Sequence, residues 1–284
     1  MKLQTKNALK GFSLILPLLL GCLVFYGLPF LLVVWYSLFQ GGRFTALDTY
    51  IRLLENEVFR IALKNTFGFL AVGLLLILMI SYAIALLLRD PVRRSRFLQS
   101  VVLLPFVMPV VGTVVLVDAL FAETGLWSKI YMALGLPVAD WLQGDSAFWI
   151  AVGLYLWKNT GYCVLILLSG LVTVPQEHYD AAALDGASAW QRFLHITVPQ
   201  MWYSVFFTMV FSLINAFKSF REIFLIGGVR PHKSIYMLQH FINNSFENLN
   251  YTKLAVASVL LLLVLATVFT LSYRWVMRKE AFRE

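Results

Sequence analysis

Six long blocks of apolar residues set the terms on which this chain can fold, because about 20 helical residues rising about 1.5 Å each span a ~30 Å hydrocarbon core. The blocks run approximately from Phe12 to Phe39, Thr66 to Leu88, Ser100 to Phe121, Phe148 to Val174, Met201 to Ile226 and Leu254 to Val276. Hydrophobic residues make up 60% of the 284 and charged residues only 13%, unlike a water-soluble domain. In lipid an open strand leaves its backbone unsatisfied, and the alternating ten-residue segments of a barrel are absent, so helices are expected. The expectation is an all-α membrane protein with six transmembrane helices over residues 12–276, a tail over 1–11 and a second tail over 277–284. The first block follows Lys2, Lys6 and Lys10 as a secretory leader would. It is too long for a leader's apolar region and lacks an Ala-x-Ala exit, so it is expected to stay uncleaved.

The basic residues predict orientation. Lys2, Lys6 and Lys10 precede the first block; Arg89, Arg93, Arg94 and Arg96 join the second to the third; Arg278, Lys279 and Arg283 follow the sixth. All fall on one side, which is expected to be cytoplasmic. On the other side Arg43, Arg52, Arg60 and Lys64 are offset by Asp48, Glu55 and Glu57. The net charge of +8 is therefore a topology signal. No cationic face with interleaved aromatics stands outside the blocks, so the expected surroundings are a lipid bilayer and no nucleic acid. Trp35, Tyr36, Trp202, Tyr203, Tyr273 and Trp275 fall near block ends, where amphipathic rings favour the headgroup layer.

Catalytic and metal-binding patterns are missing from the sequence. Cys22 and Cys163 lie inside blocks without redox or zinc spacing and are expected as small core hydrophobes. His178, His195, His232 and His240 lie in loops or near block ends without an HExxH or triad partner, so surface or partner contact is expected of them. No G-x-x-x-x-G-K-[ST] loop occurs, so any ATP used on behalf of this chain must be bound elsewhere. Asn243-Asn244-Ser245 and Asn250-Tyr251-Thr252 match a glycosylation pattern short enough to arise by chance.

The most informative segment is the polar stretch 175–199 between the fourth and fifth blocks. Pro175 suits a first helical turn, Glu177 and Asp180 complement the positive end of a helix dipole, and Ala181, Ala182 and Ala183 propagate a helix. Gly186 can adopt the left-handed conformation that stops it, and Ser188 and Gln191 stand at capping-box spacing for a second helix. The stretch is thus expected as helix, turn and helix. Trp190, Phe193, Leu194 and Thr197 recur at i, i+3, i+4 and i+7, giving the second helix an apolar face on a segment too short to cross a bilayer. That face can lie on the lipid surface or against the chain's own span ends, or it can enter a groove on a soluble partner.

The run Asp180-Ala181-Ala182, Asp185-Gly186-Ala187, Phe193, Ile196 and Pro199 resembles the cytoplasmic "EAA" loop of bacterial ABC import permeases. Asp180 stands where that family usually has Glu, which keeps the charge on a shorter arm. Further stretches resemble the carbohydrate, maltose-type branch: Asp48-Thr49-Tyr50 followed by Asn65-Thr66, Leu104-Pro105-Phe106, and Gly227-Gly228. Phe220-Arg221-Glu222-Ile223-Phe224 departs from it at Arg221, where an acid is usual, and Val229-Arg230 breaks the outer Gly-Gly-Pro pattern.

The resemblance implies a six-transmembrane-helix ABC importer permease bundle with cytoplasmic coupling helices, in a bacterial cytoplasmic membrane with both termini inside. It implies that Glu177, Asp180, Ala181, Ala182, Asp185, Gly186, Ala187, Phe193 and Pro199 contact an ATPase. It also implies the partners: a second six-span permease subunit, two ATP-binding cassette subunits carrying ATP and Mg, an extracytoplasmic solute-binding protein and a carbohydrate. An anionic solute such as a sugar phosphate is the alternative substrate.

Charged groups inside spans cost ~2.5 to 3.5 kcal/mol on insertion scales, so Lys158, Lys218, Arg221, Glu222 and Asp118 call for partners or water. Lys218 and Glu222 stand four apart and can pair. Alternatively, Ser212, Asn215, Ser219 and Glu222 form one polar stripe that, with Lys158 and Asn159, lines a solute pathway. The aromatics Phe106, Tyr155, Trp157 and Phe217 are available for the apolar faces of sugar rings. Pro105, Pro109 and Gly112 predict a bend in the third block, which can serve gating. A secondary transporter would call for paired broken helices in inverted halves, and a membrane enzyme for a nucleophile with its base or a metal cluster. Neither pattern is present, and a passive scaffold would not need the intramembrane charges.

Overall fold

The computed structural model describes residues 12, 14–89, 96–138 and 140–280. Lys2, Lys6, Lys10, Arg93, Arg94 and Arg283, on which the orientation reading partly rests, lie outside the described residues. The chain divides into two compact units, one of residues up to Arg60 with Phe241–Val268, the other of Ile61–His240 with the residues from Phe269 onward.

In the first unit, helix α1 (Leu14–Leu38) contains a wide π turn at Leu23–Gly27 and is followed by a two-residue hairpin pairing Phe39 with Phe44. Gly41 and Gly42, both at positive φ, make the tight turn that suits the strands' twist. Helix α2 (Ala46–Glu55) ends at Asn56, whose side chain accepts the Phe59 N–H and so caps helix α3 (Glu57–Leu87). The cap starts α3 nine residues before the apolar block does. Phe59 is buried edge-on against Phe241, their ring centroids 5.3 Å apart.

The second unit is built around α7 (Ser146–Thr173), which packs against α4 (Arg96–Val107) and α10 (Trp202–Lys218). Phe69, Ile77, Val152, Tyr155, Cys163 and Ile223 form one core layer, and Ala85, Val164, Leu167, Leu171, Tyr179 and Met201 form another. Gly161 lets α7 approach α4 so closely that a Cβ there would overlap the Val102 carbonyl. Of the two cysteines, Cys163 is buried as expected, whereas Cys22 is exposed on α1.

Among the described residues, five helical stretches are long and apolar enough to cross a bilayer: Leu14–Leu38, Glu57–Leu87, Val110–Ala133, Ser146–Thr173 and Tyr251–Arg274. The third and fifth expected blocks are broken. The third block splits into α4 and α5 (Val110–Phe121) at Pro109, which has extended backbone, because proline lacks an N–H and pushes Met108 out of the helix. The bend expected from Pro105 and Pro109 is thus present. A turn at Ala122–Gly125 separates α5 from the short α6 (Leu126–Ala133). The fifth block is divided at Ser219 into α10 and α11 (Phe220–Gly227), although the i to i−4 bonds of Ser219 and Ile223 carry the helical path across the break. The sixth runs as α13 from Tyr251 to Glu280, past the boundary expected near residue 276; α12 (Leu238–Glu247) precedes it.

Candidate functional site: the loop elbow and the intramembrane charges

The stretch 175–199 folds as its residue types dictate. Pro175 precedes α8 (Gln176–Leu184), and Gly186 at φ +78° turns the chain where an L side chain would be strained. Ser188 then caps a second helix through a complete capping box: its hydroxyl accepts the Gln191 N–H, and the Gln191 side chain accepts the Ser188 N–H at 2.7 Å. This helix, α9, starts as Ala189–Arg192 and opens into a π turn over Phe193–Thr197 before Val198–Gln200. The wide turn departs from the 3.6-residue periodicity on which the expected single apolar face was built, and the four residues no longer share one environment. Thr197 is buried, bonded to the Tyr179 hydroxyl at 2.9 Å, and Phe193 lies edge-on to Tyr82. Trp190 stacks on Phe193 yet stays 66% exposed.

The base of the elbow is fastened to the bundle. Arg89 sits 4.1 Å over the Tyr179 ring and donates to Gln176, while Gln200 and His178 meet at 2.7 Å. The tip is not covered. Leu184 is 90% exposed, and Glu177, Asp180, Ala181, Asp185 and Gly186 are exposed beside it; Ala182 and Ala187 are half-buried. Pro199, also half-buried, lies at the return to α10. An open groove of about 950 Å³ runs alongside, lined by Arg89, Tyr179, Trp190, Arg192 and Phe193.

The intramembrane charges pair differently from the local expectation. Glu222 does not take Lys218, its neighbour four residues back; it takes Lys158 of α7, with Nζ 2.5 Å from Oε1. Both partners are largely buried, and the second Glu222 oxygen is buried without a partner. Among the described residues this is the one ion pair. Lys218 and Arg221 are exposed, as is Asp118 on α5.

The polar stripe divides likewise. Ser212 is buried against the Cys163 thiol at 3.3 Å, Ser219 donates to the Asn215 carbonyl, and Asn159 donates to the Tyr155 carbonyl. Tyr155 is 1% exposed and donates to the Ser212 carbonyl, so it joins α7 to α10 inside the core. Phe106 stacks on Tyr162 with centroids 4.9 Å apart, and Trp157 lines an apolar groove of about 540 Å³ with Trp141, Trp149 and Leu116. Asn215 is half-buried on α10.

Two sets of contacts around the 233–240 segment follow from no spacing in the sequence. The Asn65 amide donates to the carbonyls of Lys233 and Tyr236, and Thr66 accepts the Leu238 N–H, tying the 233–238 segment to α3. His240, of which surface or partner contact was expected, is fully buried within the chain. Its Nδ1 accepts the Met237 N–H, its ring packs against Phe220 and Tyr236, and burial lowers its pKa to about 4. Among the described residues no three His, Cys, Asp or Glu are grouped to hold a metal ion.

Residues 77–281, from mid-α3 to the end of α13 and including the whole elbow, match the family of binding-protein-dependent transport system inner membrane components. The chain belongs to this family. It is accordingly a multi-pass permease subunit of an ABC transporter. Among its relatives is the trehalose/maltose transport system permease protein MalF of Thermococcus litoralis, 31% identical over 282 residues, 96% of this chain and 95% of that one. Another, the sn-glycerol-3-phosphate transport system permease protein UgpA of Yersinia pestis, is 27% identical over 96% of this chain and 95% of its own. The permease fold also matches, with a TM-score of 0.83 and 20% identity over 98% of this chain and 99% of the other, a solved bacterial ABC transporter involved in the import of the acidic polysaccharide alginate.

Proposed function

We propose that this chain forms half of the translocation pathway of an ATP-driven, binding-protein-dependent importer for a carbohydrate, with both termini in the cytoplasm of a bacterium. The carrying observation is the elbow: a capped, glycine-turned pair of short helices whose base is fastened to the bundle and whose tip, with Leu184 at 90% and Trp190 at 66% exposure, is bare. Water-facing apolar side chains on a rigid mount fit a groove on a soluble partner. Two ATP-binding cassette subunits, holding ATP and Mg, are that partner in this reading. Their closure moves the elbows, and the helices rock between inward-facing and outward-facing states. A second permease subunit completes the pathway, and an extracytoplasmic binding protein delivers solute.

In this reading Glu177, Asp180, Ala181, Ala182, Asp185, Gly186 and Ala187 contact the ATPase, while Phe193 and Pro199 hold the elbow in place. Asn215 and Lys218 line the pathway, with the Phe106 and Trp157 surfaces beside it. Lys158 with Glu222, and Tyr155 with Ser212, fix the fourth block against the fifth, while Asn159 and Ser219 bond within their own helices. The carbohydrate assignment draws on relatives such as MalF and on the local resemblances noted above.

Gly186→Trp in the complete importer, reconstituted in liposomes, tests the reading. ATP-dependent uptake and its coupling to hydrolysis should be lost while the chain still inserts at normal abundance. Undiminished uptake would overturn the coupling role.

A further inference from the structure

The exposed face of the fifth block carries two cations, Lys218 and Arg221, that form no ion pair among the described residues. Phe211, Ile214, Lys218, Arg221 and Leu225 recur at i, i+3, i+7, i+10 and i+14 along α10 and α11, and all five are exposed. The helical path is continuous across Ser219, so they form one stripe. The acid that would have matched Lys218 is committed to Lys158 in the interior. Asp118, the remaining acid of the apolar blocks, is exposed on α5, which packs against α11, but it lies in no ion pair among the described residues.

Such a stripe cannot face lipid. Each cation would cost ~2.5 to 3.5 kcal/mol at mid-bilayer, so a face that carries two is favoured against water or protein. The face therefore meets water or another protein, and in a two-subunit permease both are found along the central pathway. A water-filled cleft with low-dielectric walls and two fixed positive charges concentrates anions. Arg221 supplies a planar fork suited to a carboxylate or phosphate, and Lys218, one helical turn away, a compact point charge.

We propose that Lys218 and Arg221 form an anion seat in the translocation pathway and that the transported carbohydrate bears an acidic group, a carboxylate or a phosphate. This rests on the importer reading and narrows its substrate class. Neutral sugar hydroxyls would be served by amides and hydroxyls; a pair of uncompensated cations is served by an anion. The buried Lys158–Glu222 pair holds Glu222 away from the seat, which keeps the seat's charge at full strength.

The test uses the assembled importer in lipid nanodiscs, with Cys22→Ser and Cys163→Ala in this chain and a single Lys218→Cys replacement, so that Arg221 remains. Modification of this chain by a sulfonate-bearing and by a trimethylammonium-bearing methanethiosulfonate is followed by mass spectrometry, each rate normalised to that of a free thiol. The anionic reagent should react about tenfold faster, and adding Arg221→Gln should remove most of that preference. Glucuronate should slow the labelling several-fold at an ionic strength where glucose does not. Three results would overturn the proposal: no labelling by either reagent, as when a carboxylate of the second subunit covers the seat; no preference between the reagents; or equal effects of glucose and glucuronate. Any of these leaves the importer reading intact, because that reading is tested at Gly186 and by ATP dependence.

Discussion

Lys158 on α7 reaches across to Glu222 on α11, the two 64 residues apart in sequence and 2.5 Å apart at Nζ and Oε1. The contact crosses the interface on which the second unit is centred, where Tyr155 also bonds the Ser212 carbonyl. An ion pair inside an apolar bundle need not add stability over a well-packed hydrophobic pair, but removing one partner leaves an uncompensated buried charge. Lys158→Met and Glu222→Leu, each alone, should therefore destabilise the detergent-solubilised chain by about 3 kcal/mol or more, and the double replacement by clearly less than their sum. A double-mutant cycle of thermal unfolding measures this, and additive losses would show that the pair is not coupled.

Two glycines of α7 offer a contrast in how close packing responds to a methyl group. At Gly161 a Cβ would overlap the Val102 backbone carbonyl, which cannot move without shifting α4. At Gly170 it would overlap the Ser204 hydroxyl, which can change rotamer, and would also crowd the Ser204 Cβ at 2.7 Å, which cannot. Gly161→Ala, with its deeper overlap on two backbone atoms, should cost about 2 kcal/mol or more, within the range for overpacking, and Gly170→Ala less than that. The melting temperatures of the two purified variants decide the ordering, and a larger loss at Gly170 would contradict this account of the helix contacts.

The elbow's capping box carries a separate prediction. Ser188→Ala removes the acceptor for the Gln191 N–H and should weaken α9 locally by about 1 kcal/mol, as cap losses do. Because the elbow transmits motion in the proposed mechanism, hydrogen exchange over 188–192 should rise while the rest of the chain is unchanged. The ratio of solute imported to ATP hydrolysed should fall at the same time. Faster exchange with an unchanged ratio would separate the elbow's rigidity from coupling.

Local chemistry made the elbow legible from sequence. Gly186, Ser188 and Gln191 act within a few residues of one another, so their roles do not depend on the rest of the fold. The apolar blocks were legible for a similar reason, since crossing a bilayer is a demand on composition and length. Partner choice at longer range was not. Glu222 has an eligible cation at i−4, yet burial and the α7–α11 contact gave it to Lys158. Polar residues recur at helical spacing along the fifth block, but sequence does not say that Ser212 meets Cys163 in the core while Lys218 remains outside. The break at Pro109 followed from the ring's missing N–H, while the division at Ser219 has no comparable residue signal.

His240 shows the same limit, since its position near a span end suggested exposure and the Met237, Phe220 and Tyr236 contacts bury it. Burial disfavours the imidazolium and lowers the folded-state pKa from 6.5 to about 4. Above the unfolded value both states hold a neutral ring, and this group makes no pH-dependent difference. As pH falls below 6.5 the unfolded chain takes up a proton that the folded chain refuses, so stability drops through the window down to about pH 4 and then levels off. The full loss is about 3 kcal/mol at one pKa unit per 1.36 kcal/mol. His240→Phe keeps the aromatic packing and removes the titration. Its own stability is expected to be lower near neutrality, because the Met237 N–H loses its acceptor, but its melting temperature should change less than the parent's between about pH 7 and about pH 4.5. Parallel pH curves for parent and variant would show that the ring is protonated as readily in the folded chain as in the unfolded one.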